Sequence, residues 1–350
     1  AVSEGTNEIV TSWAVNEHIA ILYDKDGAQM ADATITAVDG TTGVATISFS
    51  VASGTADNTA CTLVYPYSAA KDDKSDVKDA ATLLASQNGT LNANLDVRVG
   101  AGKIQTTTPG LDVTTQPAAQ FAIFKFTLDG VSIDATHPLV IKDNASNTTI
   151  TTVTPASTAT SVYAAMPAAA SKAYKFVVAN AVNKYIYRGT AAIAAGKYYQ
   201  TPLTMSPRYP LALSSATVDD LDAVVNSEGV MSVEKAAASG TAVGILGKVT
   251  ETGHGLILAL KDATAQYGNT ISGWTSVTTY AGTTLKLLPD NAARGSLTSY
   301  TTLGGTAVSN WAVAQKSDYE AIFINLSSTT GDGDGITYDG NVNAYITTGV

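Results

Sequence analysis

The chain runs to 350 residues and 35.9 kDa, more than one ordinary core holds and enough for two or three domains of ~100–150 residues. Apolar residues make up 45% and charged residues 14%, which excludes disorder over the whole length and leaves a weakly charged surface. A net charge of −10, from 30 acidic against 20 basic residues, repels phosphate backbones and anionic headgroups and argues against nucleic acid as a partner.

Cys61 is the sole cysteine, so no internal disulfide forms and no thiol-rich metal site can be completed. The longest apolar run, around Gly255–Leu260, falls far short of the ~20 residues of a membrane-crossing helix. The sequence opens at Ala1 without Met or an apolar signal core, as expected of a mature or trimmed form. Abundant Ala, Thr, Ser and Gly with few Lys and Glu suits an exported, strand-rich surface protein.

Up to about Met205 the pattern is short alternating strands separated by turn residues, the rhythm of β-sandwiches. Ile19, Ile21 and Tyr23 alternate with His18, Ala20 and Leu22, and Ala45, Ile47, Phe49 and Val51 alternate with Thr46, Ser48 and Ser50; each reads as a strand with one buried face. Cys61, Leu63 and Tyr65 share a face, and Val77, Ala80, Ala81 and Leu84 stand at helical spacing. Thr106–Gln120, with Pro109, Gly110, Pro117 and a Thr-rich stretch, reads as a linker, which places a boundary near Gln116. Seven strand-sized segments from Ala122 to Leu203 then suffice for one further sandwich.

Beyond Ser206–Pro210 helical periods mix with strands, the mark of an α+β region. Thr217 and Asp220 open a helix like a capping box, carried on by Val218, Leu221, Val224 and Val225 and closed by Gly229. Ala242–Val249 and Gly255–Lys261 read as a hairpin around Glu251–Gly253. From Ser317, Glu320 completes a second capping box, and Tyr319, Ile322, Phe323 and Leu326 recur at helical spacing. The domains expected are therefore 1–116, 117–205 and 206–350.

Trp13 with Glu17–Tyr23, Asp39–Phe49 with its Thr42–Gly43 turn, Leu63–Ser68 (LVYPYS) and Gln87–Leu91 (QNGTL), in that order, resemble the Bacteroidales fimbrillins, the subunits of type V pili. The resemblance spans roughly Trp13–Leu128 and continues as strand order to Met205. It implies a mainly β fold of two tandem transthyretin-like sandwiches, lipoprotein export to the outer membrane and cell surface, and polymerisation with other pilin subunits by strand exchange. In that family a terminal strand, here Glu8–Trp13, covers the groove that later accepts a partner. Unlike shaft pilins, which end near the second sandwich, this chain continues from Ser206 to Val350, which favours a tip position. That region, with Gly255–Leu260 and Trp311–Phe323, loosely resembles variable C-terminal domains of Bacteroidetes surface proteins, some with a C-type-lectin-like fold. Such domains run into further strands, so a longer C-terminus is expected.

His18, His137 and His254 lie far apart, without HExxH or a GxSxG elbow, so hydrolytic catalysis has no motif and the chain reads as a non-enzyme. The rival reading is a secreted carbohydrate-active enzyme with accessory β domains, because two carboxylates at a fixed separation leave no sequence mark. Gly331–Gly340 (GDGDGITYDG) gathers Asp332, Asp334 and Asp339. The stretch fails the EF-hand template, and a solvated Asp-Gly turn is preferred over a calcium site, to which Asp290 and Asn291 could add ligands. Trp274, Tyr280, Tyr300 and Trp311 could present stacking faces to sugar rings. Trp311 suits a core position better, while Trp274, between Gly273 and Thr275, is the better ligand candidate, with burial as its alternative. Trp274, Asp332, Asp334 and Asp339 are thus the expected ligand-binding residues, for a glycan or a host protein. Arg98, Arg188, Arg208 and Arg294 are scattered, and Arg208 is either structural or an exposed protease site.

Overall fold

A computed structural model describes residues 2–6, 8–180, 183–233, 240–259, 321–322 and 325. The protein is mainly β. Its contacts divide it into two compact units, Ala1–Val178 with Tyr185–Ser206, and Ala179–Lys184 with Pro207–Val350.

The first unit opens with a ribbon of β1 (Val2–Glu4) and β2 (Ile9–Thr11). A six-stranded sheet follows, built from β3 (His18–Asp24), β4 (Ala28–Val38), β5 (Ala45–Ser48), β6 (Thr59–Tyr65), β8 (Arg98–Gln105) and β9 (Gly110–Ala119), in the order β5-β4-β3-β6-β8-β9. β7 (Ser86–Gln87) leaves that sheet's stretch of sequence and joins another. A three-stranded sheet runs β13 (Ser161–Pro167), β10 (Phe121–Asp129), β16 (Tyr198–Thr204), with β10 antiparallel to β13 and parallel to β16. The third sheet carries β15 (Lys184–Ile193), β14 (Ala169–Ala179), β11 (Leu139–Asp143), β12 (Thr149–Val153) and β7, with the two-residue β17 (Ser206–Pro207) at its outer edge.

Alternation along β10 explains the layering. Ala122, Phe124, Phe126 and Leu128 join Leu139, Ile141, Tyr174, Phe176 and Val178 of the third sheet in one core. Phe121 and Ile123 point the other way, into a core with Ala20, Leu22 and Val64 of the first sheet and with Leu95 and Val97 from the segment that leads into β8. The three-stranded sheet therefore packs apolar side chains on both faces. β3 behaves alike: Ile19, Ile21 and Tyr23 enter a separate core with Ala33, Ile35, Leu63 and Tyr65, while Ala20 and Leu22 face β10. The single buried face expected for β3 is thus corrected to two, since both alternating sets are apolar.

The expected linker Thr106–Gln120 is instead largely strand β9, paired with β8 from Arg98↔Ala119 to Gln105↔Gly110. As an edge strand it exposes most of its Thr-rich length, so nothing forces an apolar alternation, and its Pro117 sits where the register shifts. Gly100 permits the close approach: a Cβ there would lie 2.7 Å from the Thr115 carbonyl oxygen. Gln87, reaching the third sheet through β7, is buried and donates to Thr151 Oγ1 (2.9 Å) and the Ala165 carbonyl (3.0 Å), while its own Oε1 accepts from the Ala165 N–H (2.7 Å). The helix expected around Val77–Leu84 narrows to α1 (Ala80–Leu84), started by Asp79, whose carboxylate accepts from the Thr82 N–H at 2.9 Å.

In the second unit, β18 (Leu211–Ala212), β20 (Val230–Ser232), β19 (Val224–Asn226), β21 (Ala242–Glu251) and β22 (His254–Ala259) form one antiparallel sheet in that order. The β21–β22 hairpin turns at Glu251–Gly253 as expected. The helix expected from Thr217 does not propagate. The capping box forms, but it closes a single 3₁₀ turn, Val218–Asp220, after which Leu221 is extended (ψ 140°) and Asp222 adopts a left-handed φ of 76°. β-Branched Val224 and Val225 then pair with Ile245 and Gly244. Within the helix expected from Ser317, Ala321, Ile322 and Asn325 are helical. Ile322 is buried against Gly247, where a Cβ would come within 2.6 Å of it.

The chain Ala179–Lys184 belongs to this second unit through two side chains. Asn183 donates to the Tyr209 carbonyl (2.7 Å) and accepts from the N–H groups of Arg208 (3.0 Å) and Tyr209 (2.9 Å). Lys184 Nζ reaches the carbonyls of Asp219 and Leu221 and the carboxylate of Asp222, at 2.8–3.2 Å.

Candidate functional site

The residues singled out as ligand-binding in the sequence, Trp274, Asp332, Asp334 and Asp339, lie outside the described residues, as do Asp290, Asn291, Tyr280, Tyr300, Trp311 and Arg294. The three histidines stay apart, each beside one carboxylate: His18 Nδ1 at 2.7 Å from Asp32, His137 Nδ1 at 3.1 Å from Asp134, and His254 Nδ1 at 3.5 Å from Glu251. Asp134 is held far below the usual carboxylate range by bonds from Thr136 and His137, as an ordinary Asx turn would do. Among the described residues no group of three or more His, Cys, Asp and Glu side chains converges as a metal site. Burial pushes the Cys61 thiol up to about 11, so it stays a protonated core side chain. Among the described residues no helix is long and apolar enough to cross a membrane. Arg208 proves structural, with its guanidinium on Asp220 at 2.6 and 2.8 Å.

The chemistry gathers instead at the N-terminal ribbon. β1 and β2 form a sheet of their own, in the register Val2↔Thr11, Ser3↔Val10 and Glu4↔Ile9; this corrects the expectation that Glu8–Trp13 pairs as a strand of the first sandwich. Pairing with Val2–Glu4 is local, and the turn is closed by the Gly5 N–H on the Glu8 carbonyl (2.9 Å). The pleat places Val2, Glu4, Ile9 and Thr11 on one face. Val2 and Ile9 pack against the core that joins the first and three-stranded sheets, whereas Val10, on the other face, is 44% exposed.

Polar side chains hold the ribbon at both ends of that face. Glu4 accepts from Lys125 Nζ (2.7 Å) on β10, from the Tyr163 hydroxyl on β13 and from the Tyr198 hydroxyl (3.1 Å) on β16. Thr11 Oγ1 accepts from Arg98 Nη2 (2.9 Å), whose Nε is held by the buried Asp96 at 2.8 Å. Bonds from Lys125 and Tyr163, then Tyr198, keep Glu4 below the ordinary carboxylate range against a smaller cost of desolvation. Desolvation first, then the hydrogen bond to Glu4 and its charge, lifts Tyr198 to about 12. The cluster therefore holds a charged carboxylate among neutral phenols and an ammonium at neutral pH.

What these parts define is a mainly β protein with a detached two-stranded ribbon laid over an apolar face. No family model and no curated protein matches the chain. Among solved structures it is similar to a fimbrial protein from Bacteroides ovatus ATCC 8483, at 13% identity and a TM-score of 0.29, over 68% of this chain and 53% of that one. It is also similar to candidate cell adhesion proteins from Bacteroides uniformis ATCC 8492 and Bacteroides ovatus ATCC 8483. The first shows 14% identity and a TM-score of 0.30 over 55% of this chain and 88% of that one; the second shows 12% and 0.31 over 56% and 87%. The chain thus spans about half the length of the first of these.

Proposed function

We propose that the chain is a cell-surface adhesin or pilus subunit that assembles with other pilin subunits by strand exchange at the ribbon groove. The observation that carries this reading is the ribbon's independence: among the described residues β1 and β2 pair only with each other as a sheet, and they cover core side chains of two larger sheets. A cover of this kind leaves without breaking a sheet ladder, and an extended segment from another chain then has the uncovered apolar surface to occupy. Deleting residues 1–12 is expected to give a chain that remains folded by circular dichroism and forms larger, concentration-dependent oligomers by light scattering. A folded, deleted chain that keeps the size of the intact protein at every concentration overturns the assembly role.

The reading extends to an outer-membrane pilus, with the C-terminal region at the tip for recognition. Trp274 would stack on a sugar or a host-protein side chain, and Asp332, Asp334 and Asp339 would supply oxygens to ligand or calcium. The support is the sequence alone: an aromatic side chain between small and polar residues, and three aspartates in one glycine-rich stretch. Trp274→Ala is expected to abolish glycan-array or cell binding and leave the melting temperature nearly unchanged. Binding that survives both this change and replacement of the three aspartates places recognition elsewhere.

A further inference from the structure

The ribbon's most specific attachment is to three donors in fixed register. Lys125 stands directly opposite Tyr163 across the β10–β13 pair, and Tyr198 stands opposite Ile123, two residues earlier on β10. All three side chains therefore rise from one face of the three-stranded sheet. Lys125 Nζ also sits 5.6 Å from the centre of the Tyr163 ring, which fixes the ammonium beside the phenol. Between them, both oxygens of Glu4 are engaged: Oε1 by Lys125 and Tyr198, Oε2 by Tyr163. An ammonium supplies only donors. An amide at the position of Glu4 would accept through one atom and turn an N–H₂ toward a cation or a phenol, while a cation would meet Lys125 head on.

We propose that Lys125, Tyr163 and Tyr198 are a carboxylate-reading subsite of the groove, which holds Glu4 while the ribbon is in place and selects, from the strand that replaces it, an acidic side chain. The inference rests on the strand-exchange reading above and names the partner's chemistry: an extended segment of another subunit in which an apolar residue is followed, two positions on, by an acid, as Val2 is by Glu4. The apolar residue takes the place of Val2 on the core, and the acid takes the place of Glu4 among the three donors. Charge complementarity makes the choice, because the donors converge on one point and remain without a counter-charge when the ribbon departs.

The experiment uses the full chain with a specific protease site placed between Ser12 and Trp13, cut after folding so that the ribbon stays bound without a covalent link. Fluorescent peptides of residues 1–12 carrying Glu, Gln or Lys at position 4 are then exchanged onto the cut protein. The Glu peptide is expected to bind about tenfold more tightly than the Gln peptide, with the Lys peptide weaker still. The preference for Glu should fall toward unity in Lys125→Met and shrink in the Tyr163→Phe, Tyr198→Phe double variant. The double variant removes only hydroxyls and so provides the measurement if Lys125→Met fails to fold. Equal binding of the Glu and Gln peptides, or a preference that persists in both variants, overturns the subsite while leaving strand exchange intact. A cut chain whose ribbon never exchanges with any peptide overturns the strand-exchange reading and the subsite with it.

Discussion

Phe126→Ala is expected to lower the stability of the first unit by about 3–5 kcal/mol, the range for truncating an enclosed aromatic. Phe126 is fully buried at the middle of β10, the central strand of the three-stranded sheet. Its ring stacks on Phe124 at 5.2 Å and meets Phe176 of the opposing sheet edge-on at 5.3 Å. Phe124 in turn stacks on Tyr199 of β16 at 4.7 Å, so the side chain lost belongs to an aromatic row that joins two strands of one sheet to the sheet facing it. Collapse into the space is opposed because both faces of β10 are packed, and moving the backbone to fill one core opens the other. Denaturant unfolding followed by tyrosine fluorescence measures the loss. A change below about 1 kcal/mol would show that the core repacks freely and that β10 does not organise it. The same strand carries Lys125, so a shift of β10 is also expected to loosen the ribbon.

Much of this architecture is legible in the residues, for reasons that differ from element to element. β3, β6 and β10 stand out as short, largely apolar runs of strand length, and the β21–β22 hairpin because Gly253 marks its turn with a left-handed φ of 74°. β9 is hidden: an edge strand with a wet face has no alternation to display, and its Thr, Pro and Gly read as a linker. The Thr217 capping box is a true local signal, yet helix propagation needs more than a start; the chain turns left-handed at Asp222 and the valines beyond it find strand partners. The site was harder to see. Glu4 meets partners 121, 159 and 194 residues away, and no spacing rule connects them. One trace was available in Lys125, the lone charge within the apolar run Phe121–Leu128. That lysine is partly exposed, and its counter-charge is Glu4 of the ribbon at 2.7 Å.

Asp220→Ala is expected to cost the second unit about 3 kcal/mol, the lower end of what removing one partner of a buried ion pair costs. Asp220 is fully buried, and it takes both Nε (2.8 Å) and Nη2 (2.6 Å) of Arg208 together with the Thr217 N–H at 2.8 Å. Removing the carboxylate strands a guanidinium that is only 24% exposed and opens the capping box that turns the chain toward β19. The partial exposure of Arg208 lets water compensate some of the charge, which sets the lower end. Burial works to raise the Asp220 carboxyl, but the bonds from Arg208 and Thr217 outweigh it and hold the group below its ordinary value of 3.8. Because the folded state binds this proton less readily than the unfolded chain, the stabilisation is complete above that ordinary value and fades as pH falls through the lower, folded one. Asp220→Asn retains the volume and loses the charge, so its deficit relative to the natural chain should be largest at neutral pH and narrow below about pH 4. Urea unfolding of both chains at pH 7 and pH 3 decides it. A deficit of equal size at the two pH values would mean that shape and hydrogen bonding, rather than the charge on Asp220, hold Arg208 in place.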